Sequence, residues 1–166
     1  TKILRSNTRS LLARKKLSHT STPYSEAIHI GILFTVEDRQ KHEHIKELIK
    51  SLERDGKKVT ALCFLPDNRE NYEFKFNYYT KADVSFWGNL TSSDALNFSD
   101  IAFDFLYCLD QQPNIFILNV IARSRAKCRI GPNFSEGKSY FEMMIESNFD
   151  IKDLIDGVYR YSKQLR

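Results

Sequence analysis

Basic side chains that could bind phosphate oxygens are concentrated near the start of the chain. Residues 1–25 contain no acidic residue and hold six of the chain's 25 lysines and arginines: Lys2, Arg5, Arg9, Arg14, Lys15 and Lys16. Without these six, 19 basic residues face 21 acidic ones, so the rest of the chain carries about −2 although the whole carries +4. This asymmetry predicts a polyanionic partner for the segment, either nucleic acid or an anionic membrane surface. The alternative is a solvated, flexible terminus.

The spacing of these residues produces one cationic face if residues 2–17 form a helix. At about 100° per residue, four basic side chains fall within an arc of about 60°. They are Lys2, Arg5, Arg9 and Lys16. The apolar residues Ile3, Leu4 and Leu11 fall on the far side. Residues 18–27 are mostly small and polar, so we expect a basic arm and linker over residues 1–27 and a single domain over residues 28–166.

A second basic cluster lies at residues 123–129. Arg123, Arg125, Lys127 and Arg129 alternate with uncharged residues, so they share one face of an extended strand. That face would be half exposed and strongly cationic, and arginine matches phosphate oxygens well. The cluster therefore adds four candidate residues for nucleic-acid binding. Two alternatives stay open: the charges protect a sheet edge from strand addition, or Arg123 ends a helix and complements its dipole.

The motifs that bind nucleotides in parallel sheets are missing from the sequence. The first predicted strand leads into the sequence TVED, which has no GxGxxG turn and places two carboxylates where a phosphate would lie. No GxxxxGK(S/T) sequence occurs either. Thr35, Asp67 and Asp110 follow predicted strands and would line one sheet edge. We interpret them as helix caps and turn formers, with binding of a small ligand as the alternative.

Neither a metal site nor a catalytic nucleophile can be assembled from the spacing. His42 and His44 project about 200° apart on a helix, so they cannot share one ion and are predicted to lie at the surface. His29 falls in a predicted strand, where we expect a core histidine bonded to a neighbour. The three cysteines, widely spaced in apolar segments, are predicted to be small buried side chains. They are Cys63, Cys108 and Cys128. We therefore predict no catalytic residue, no cofactor and no metal.

Apolar periodicity predicts that strands and helices alternate. The predicted strands cover residues 28–35, 58–65, 84–87, 103–109 and 127–130. The predicted helices cover residues 37–55 and 113–122, the latter capped by residues 110–112, and a final helix begins at Asp150, whose carboxylate accepts from Asp153 N. The apolar residues of 113–122 would also suit a strand, and the length of the segment favours the helix. Residues 140–145 form either a strand or a short helix, and residues 67–83 either an edge strand or a long loop.

Strand, helix and strand over residues 28–65 have the lengths of a right-handed βαβ unit. We therefore predict an α/β fold of three layers, Rossmann-like or flavodoxin-like, preceded by a basic N-terminal helix. Its mainly parallel sheet has about five strands, with helices on both faces. The 166 residues, 42% of them hydrophobic, suffice for one core. No apolar stretch is long enough to cross a bilayer, and the cysteine pattern is typical of a reducing compartment, so we expect a cytoplasmic protein.

The order of the apolar segments resembles that of a known family. The segments are IGILF, GKKVTALCFLP, DVSFWG, FDFLYCL, SRAKCRIG and YFEMMIE. Over residues 28–165 this order is similar to an uncharacterised Rossmann-like family of unknown function found in Bacteroidota. The resemblance implies a bacterial cytoplasmic α/β protein and transfers no catalytic residue.

Two functions from different classes are consistent with the sequence. In the preferred one, this is a non-catalytic binding protein whose basic arm docks on RNA or on a ribonucleoprotein such as the ribosome, together with the face at residues 123–129. In the alternative, it is a small-molecule-binding or enzymatic Rossmann-like domain that uses the carboxyl ends of its strands. The charge asymmetry favours the first.

Overall fold

The computed structural model describes residues 2–14, 22–72, 76–148 and 150–166. Within these residues the strands are β1 (His29–Thr35), β2 (Lys58–Phe64), β3 (Asn77–Tyr79), β4 (Phe105–Cys108), β5 (Cys128–Pro132) and β6 (Met143–Ile145). The helices are α1 (Lys2–Arg14), α2 (Arg39–Arg54), α3 (Ser93–Asp100), α4 (Ile115–Arg123) and α5 (Ile151–Ser162). Strands and helices alternate along most of the chain, as the apolar periodicity predicts.

The strands form one sheet in which every pairing is parallel. Their order is β3-β2-β1-β4-β5-β6, so the chain runs outward from β1 to one edge and then from β4 to the other. This is the strand order of the Rossmann fold and differs from that of flavodoxin-like folds. The predicted α/β class and N-terminal helix are confirmed, with six strands in place of about five.

Helix ends form where the sequence provides caps. α2 begins where the Asp38 carboxylate accepts a hydrogen bond from Lys41 N, and it ends before Gly56, whose φ of +79° favours glycine. α5 begins where the Asp150 carboxylate accepts from Asp153 N at 2.9 Å, as predicted. The βαβ unit formed by β1, α2 and β2 is therefore confirmed together with the final helix.

Helices cover both faces of the sheet, and each face has its own apolar core. α2 and α5 pack on one face, whereas α3 and α4 pack on the other. Six of the nine residues of α4 are buried, because α1 packs against this helix in addition to the sheet. A helix that is apolar around most of its circumference requires such cover. α1 therefore forms an extra layer outside α4.

Two local predictions are wrong. Residues 84–87 form no regular strand, and Val84 makes only an isolated antiparallel bridge to Leu90. α4 is capped by Asn114 rather than by residues 110–112. The helix starts later because the Asp110 carboxylate bonds to β1 instead of to a helix end. The strand in the segment at 67–83 is β3, and residues 73–75 of that segment lie outside the described residues.

Candidate nucleic-acid interface

α1 packs on the domain with one face and presents its basic residues on the other. Leu4 and Thr8 are buried on the inner face, and Leu4 joins the core beneath α3 and α4. The outer face carries three exposed basic side chains, Lys2, Arg5 and Arg9, which we call the cationic face of α1. Of the other predicted arm residues, Arg14 is the last residue of α1, whereas Lys15 and Lys16 lie outside the described residues.

A buried amide fastens α1 to the domain. Asn119 of α4 is fully buried, and its Nδ2 donates to Thr8 Oγ1 of α1 at 3.1 Å. The same Nδ2 donates to Gly88 O at 3.3 Å, while Asn119 Oδ1 accepts from Arg123 Nε at 3.0 Å. Thr8 Oγ1 in turn donates to Leu4 O at 2.8 Å. These bonds fix the rotation of α1 about its axis, so its basic residues face outward.

Among the described residues, the acidic side chain of Glu136 approaches the cationic face. Arg9 Nη2 lies 3.7 Å from Glu136 Oε2, and the two side chains are 66% and 46% exposed. An exposed pair at this distance contributes little, about 0–1 kcal/mol, because water screens it. Glu136 therefore leaves most of the positive potential of the face in place.

The second predicted cluster does not form a cationic strand surface. β5 begins only at Cys128 and is buried throughout, because it pairs with a strand on each side and has helices over both faces. The Arg129 side chain is 3% exposed and pairs with the Glu142 carboxylate at 2.9 Å. Lys127 is exposed but pairs with Asp104 at 2.8 Å. The prediction of a shared, half-exposed face is therefore wrong.

The first half of this cluster belongs to a helix end. Arg123 is the last residue of α4, which confirms the alternative that this arginine ends a helix. Its guanidinium donates to Gly88 O and Asn119 Oδ1. Arg125 follows the helix and is exposed. Arg123 thus lies next to α1, whereas Arg129 is a structural residue of the core.

A turn at residues 85–89 lies beside α1 and carries two aromatic side chains that sequence reasoning missed. Gly88 N donates to Ser85 O at 2.9 Å, and a φ of +83° at Gly88 reverses the chain. The turn leaves Phe86 and Trp87 exposed. The only signal in the sequence is the position of two aromatic residues directly before a glycine in polar surroundings.

The carboxyl ends of β1 and β4 meet where the strand order reverses, which is the usual ligand position in this fold. Here the Asp110 carboxylate accepts from Thr35 N at 2.8 Å, from Thr35 Oγ1 at 2.6 Å and from Lys41 Nζ at 2.7 Å. Lys41 Nζ also donates to Glu37 Oε1 at 3.0 Å. The Lys41 side chain is 0% exposed and that of Asp110 2%. A buried ion pair of Lys41 and Asp110 therefore lies at the two strand ends.

The buried lysine of this cluster is held in its charged form. Burial by itself would lower the pKa of Lys41, but the Asp110 and Glu37 carboxylates raise it above the ordinary value of 10.5. A lysine that stays protonated at neutral pH is neither a base nor a nucleophile. Thr35 and Asp110 share this sheet edge as predicted, whereas Asp67 is exposed after β2. No pattern in the sequence indicates that Lys41 is buried at this sheet edge.

Among known protein families, one family model matches nearly the whole chain. The match spans residues 1–165 and therefore includes α1 as well as the sheet. The chain belongs to DUF6913, a family of unknown function. No curated protein and no solved structure matches this DUF6913 chain. Among its described residues, no helix has both the length and the apolar character to span a bilayer.

The three cysteines of the DUF6913 chain belong to its core, as predicted, whereas His29 is half-buried at the start of β1. All three cysteines are buried, and burial raises the pKa of Cys63 and of Cys128 to about 12. Their thiols are therefore protonated and unreactive at neutral pH. His29 Nε2 lies 2.8 Å from Thr60 Oγ1, so this histidine has the expected neighbour.

His42 is buried in the DUF6913 chain, so its predicted surface position is wrong. Its ring packs edge-on against Phe34 and Tyr72, with centroids 5.4 and 5.0 Å away, because α2 turns this position toward the sheet. Burial lowers the pKa of His42 below 6.5. Among the described residues neither ring nitrogen has a hydrogen-bond partner, and no group of three or more His, Cys, Asp or Glu side chains is arranged to hold a metal ion.

Proposed function

We propose that the cationic face of α1 binds RNA, either free or within a ribonucleoprotein such as the ribosome, in the bacterial cytoplasm. The observation that carries the proposal is a row of exposed basic side chains on a helix whose opposite face is anchored in the domain. Residues 1–25 contain no acidic side chain that would weaken this potential. Lysine and arginine attract phosphates by charge, and arginine adds a paired hydrogen-bond donor. The role requires no catalysis.

The unequal charge of the two parts of the chain favours one orientation of binding. All charged residues up to residue 25 are basic, whereas the rest of the chain carries a net charge of about −2. A polyanion approaching the protein is therefore attracted to the α1 side and repelled elsewhere. Arg123, next to the turn at 85–89, extends the basic surface beyond α1. Arg129, which is buried and paired, has no part in the proposal.

Anchoring of α1 supports recognition by a preformed surface. A free arm would lose conformational entropy when it bound, whereas a helix already packed on α4 loses much less. Anchoring also determines how the proposal must be tested. Deletion of α1 would uncover the apolar side of α4 and remove Leu4 from the core, so substitutions on the exposed face are the appropriate perturbation.

The alternative proposal, a small-molecule-binding or enzymatic site at the strand ends, has weaker support. The space between β1 and β4 is taken by the buried pair of Lys41 and Asp110. A ligand at that position would have to separate two charges that satisfy each other. We therefore prefer the RNA-binding function.

The test compares two variants that lose the same charge from different faces. Arg5→Gln/Arg9→Gln removes two cations from α1, and Lys50→Gln/Arg54→Gln removes two exposed cations from α2 on the opposite face of the sheet. Glutamine preserves helix propensity in both. Binding of a fluorescently labelled mixed-sequence RNA is measured at several salt concentrations with the full chain.

We expect the α1 variant to bind more weakly and to show a smaller salt dependence. Each phosphate contact contributes about 0.7 to the slope of log K against log salt for single strands, so loss of two contacts lowers the slope by about 1.4. The α2 variant should bind like the wild type. Equal affinity and equal slope in all three proteins would contradict the proposal.

A further inference from the structure

Two exposed aromatic rings lie beside the cationic face of α1. Phe86 is 62% and Trp87 64% exposed, and the rings meet edge to face with centroids 5.6 Å apart. Among the described residues they are the only two consecutive large hydrophobic residues that are exposed. Apolar area left in water at one spot on a surface indicates a binding site rather than a core position.

The rings are carried by a firmly attached turn. Trp87 O accepts a hydrogen bond from Asn7 Nδ2 of α1, and Gly88 O accepts one from the buried Asn119 Nδ2 at 3.3 Å. A side chain at Gly88 would meet Leu4 of α1 at 3.0 Å, so the turn and the helix are in close contact. The aromatic pair is therefore positioned relative to the cationic face before any ligand binds.

The aromatic pair and the cationic face belong to one continuous surface. A shallow depression along the cationic face is lined by Lys2, Arg5, Ser6, Arg9, Ser10 and Ala13. A second depression joins α1 to the turn and is lined by Asn7, Ser10, Leu11, Trp87, Asn89 and Arg123. Ser10 borders both. A ligand bound at Arg9 therefore reaches Trp87 by crossing one helix, about 10 Å wide with its side chains.

We infer that this surface takes single-stranded RNA, whose unpaired bases stack on Trp87 and Phe86 while its phosphates contact the cationic face of α1. The inference rests on the proposed function and names its substrate class. Alternation of cations with exposed aromatic rings is how proteins bind single strands, since every base has a face that can stack. In a duplex the bases stack on one another and an outside ring cannot reach their faces.

The charge around the rings decides in favour of this ligand over a protein partner. Arg123 lines the depression next to Trp87, and the cationic face lies on the other side of Ser10. An apolar partner surface would have to desolvate these cations, whereas an RNA strand supplies one phosphate for each base that it stacks. A second copy of the chain that met this surface with the same surface would bring the same positive charge and be repelled.

The chain contains a single tryptophan, so Trp87 itself reports stacking. We propose titrating the full chain with a mixed-sequence single-stranded RNA and with the blunt duplex of the same sequence, following intrinsic fluorescence and, separately, the anisotropy of labelled RNA. The single strand should quench Trp87 and bind more tightly than the duplex. Trp87→Ala should weaken single-strand binding by about 5- to 150-fold, the range for one stacked base.

Tyr161→Ala provides the matched control. Tyr161 is 42% exposed on α5, on the opposite face of the sheet, and Arg160 lies over its ring at 4.9 Å. The Tyr161 variant removes an exposed aromatic ring beside a cation but should leave RNA affinity unchanged. An unchanged melting temperature of the Trp87 variant shows that it folds, as expected for an exposed side chain.

The outcomes separate this inference from the proposed function. If RNA binding depends on Arg5 and Arg9 but Trp87→Ala binds as tightly and the single strand does not change Trp87 fluorescence, the stacking inference is wrong while the RNA-binding function stands. If no variant and no wild-type protein binds RNA, both are wrong. If Trp87→Ala instead converts a dimer to a monomer in size-exclusion chromatography, a second copy is the occupant and the inference is overturned.

Discussion

Replacing Asn119 with alanine should loosen α1 from the domain. The amide makes three hydrogen bonds, to Thr8 Oγ1 at 3.1 Å, Gly88 O at 3.3 Å and Arg123 Nε at 3.0 Å. Each contributes about 1 kcal/mol net, so their loss should lower the free energy of unfolding by about 3 kcal/mol. The loss stays in this range because Thr8 Oγ1 still bonds to Leu4 O and Gly88 O still accepts from Arg123. For a chain of this length it corresponds to a fall of about 6–12 °C in melting temperature.

Urea unfolding followed by circular dichroism measures this change, and native-state hydrogen exchange locates it. We expect the amides of α1 to lose protection first in the Asn119 variant, because that helix loses its bond to α4. Asn133→Ala, at an exposed asparagine, is the control and should change stability by less than about 0.5 kcal/mol. An Asn119 variant as stable as this control, with unchanged exchange in α1, would refute the anchoring role and leave apolar contacts alone to hold the helix.

Two further predictions concern buried titratable groups. Asp110→Asn leaves the buried Lys41 charge with only the exposed Glu37 carboxylate and should lower the free energy of unfolding by up to about 3–5 kcal/mol in urea; a loss below about 1 kcal/mol would contradict a buried ion pair. His42 is neutral in the folded chain because burial lowers its pKa, so the unfolded chain binds more protons and stability falls as pH drops through 6.5. Between pH 7.5 and 5.5 the wild type should lose up to about 1.4 kcal/mol more than His42→Phe, and equal losses would contradict the buried position.

Local patterns in the sequence were sufficient for the elements and the class of the fold. Charged residues alternating with apolar ones at helical spacing predict α2, and a continuous apolar run predicts β1, because both elements have a simple relation between burial and period. The Asp150 cap was predictable for the same reason, since it depends only on residues three positions apart. The cationic face of α1 is also a local property, set by spacing along one helix.

The features that could not be predicted depend on contacts between residues distant in the sequence. Lys41 and Asp110 are 69 positions apart, and only the parallel pairing of β1 with β4 brings their elements together. Arg129 turns inward because Glu142, from the segment that leads into β6, supplies a carboxylate at 2.9 Å. The local sequence pattern of a strand is the same whether its arginine is buried and paired or exposed. The burial of Arg129 therefore could not be predicted. The sequence of α4 fits a helix or a strand, because α1 covers the side of this helix that would otherwise be exposed and polar.

The geometry also bears on where a partner can reach this fold. A ligand that entered between the ends of β1 and β4 and separated Lys41 from Asp110 would lose about 3–5 kcal/mol, which weakens binding by roughly 10²- to 4 × 10³-fold. Such a ligand must itself replace the lost ion pair, for example with an anion that holds Lys41. The outer surface of α1 carries no such cost, because its cations and the neighbouring rings are already exposed. For a polyanion, binding there is favoured by the release of counterions.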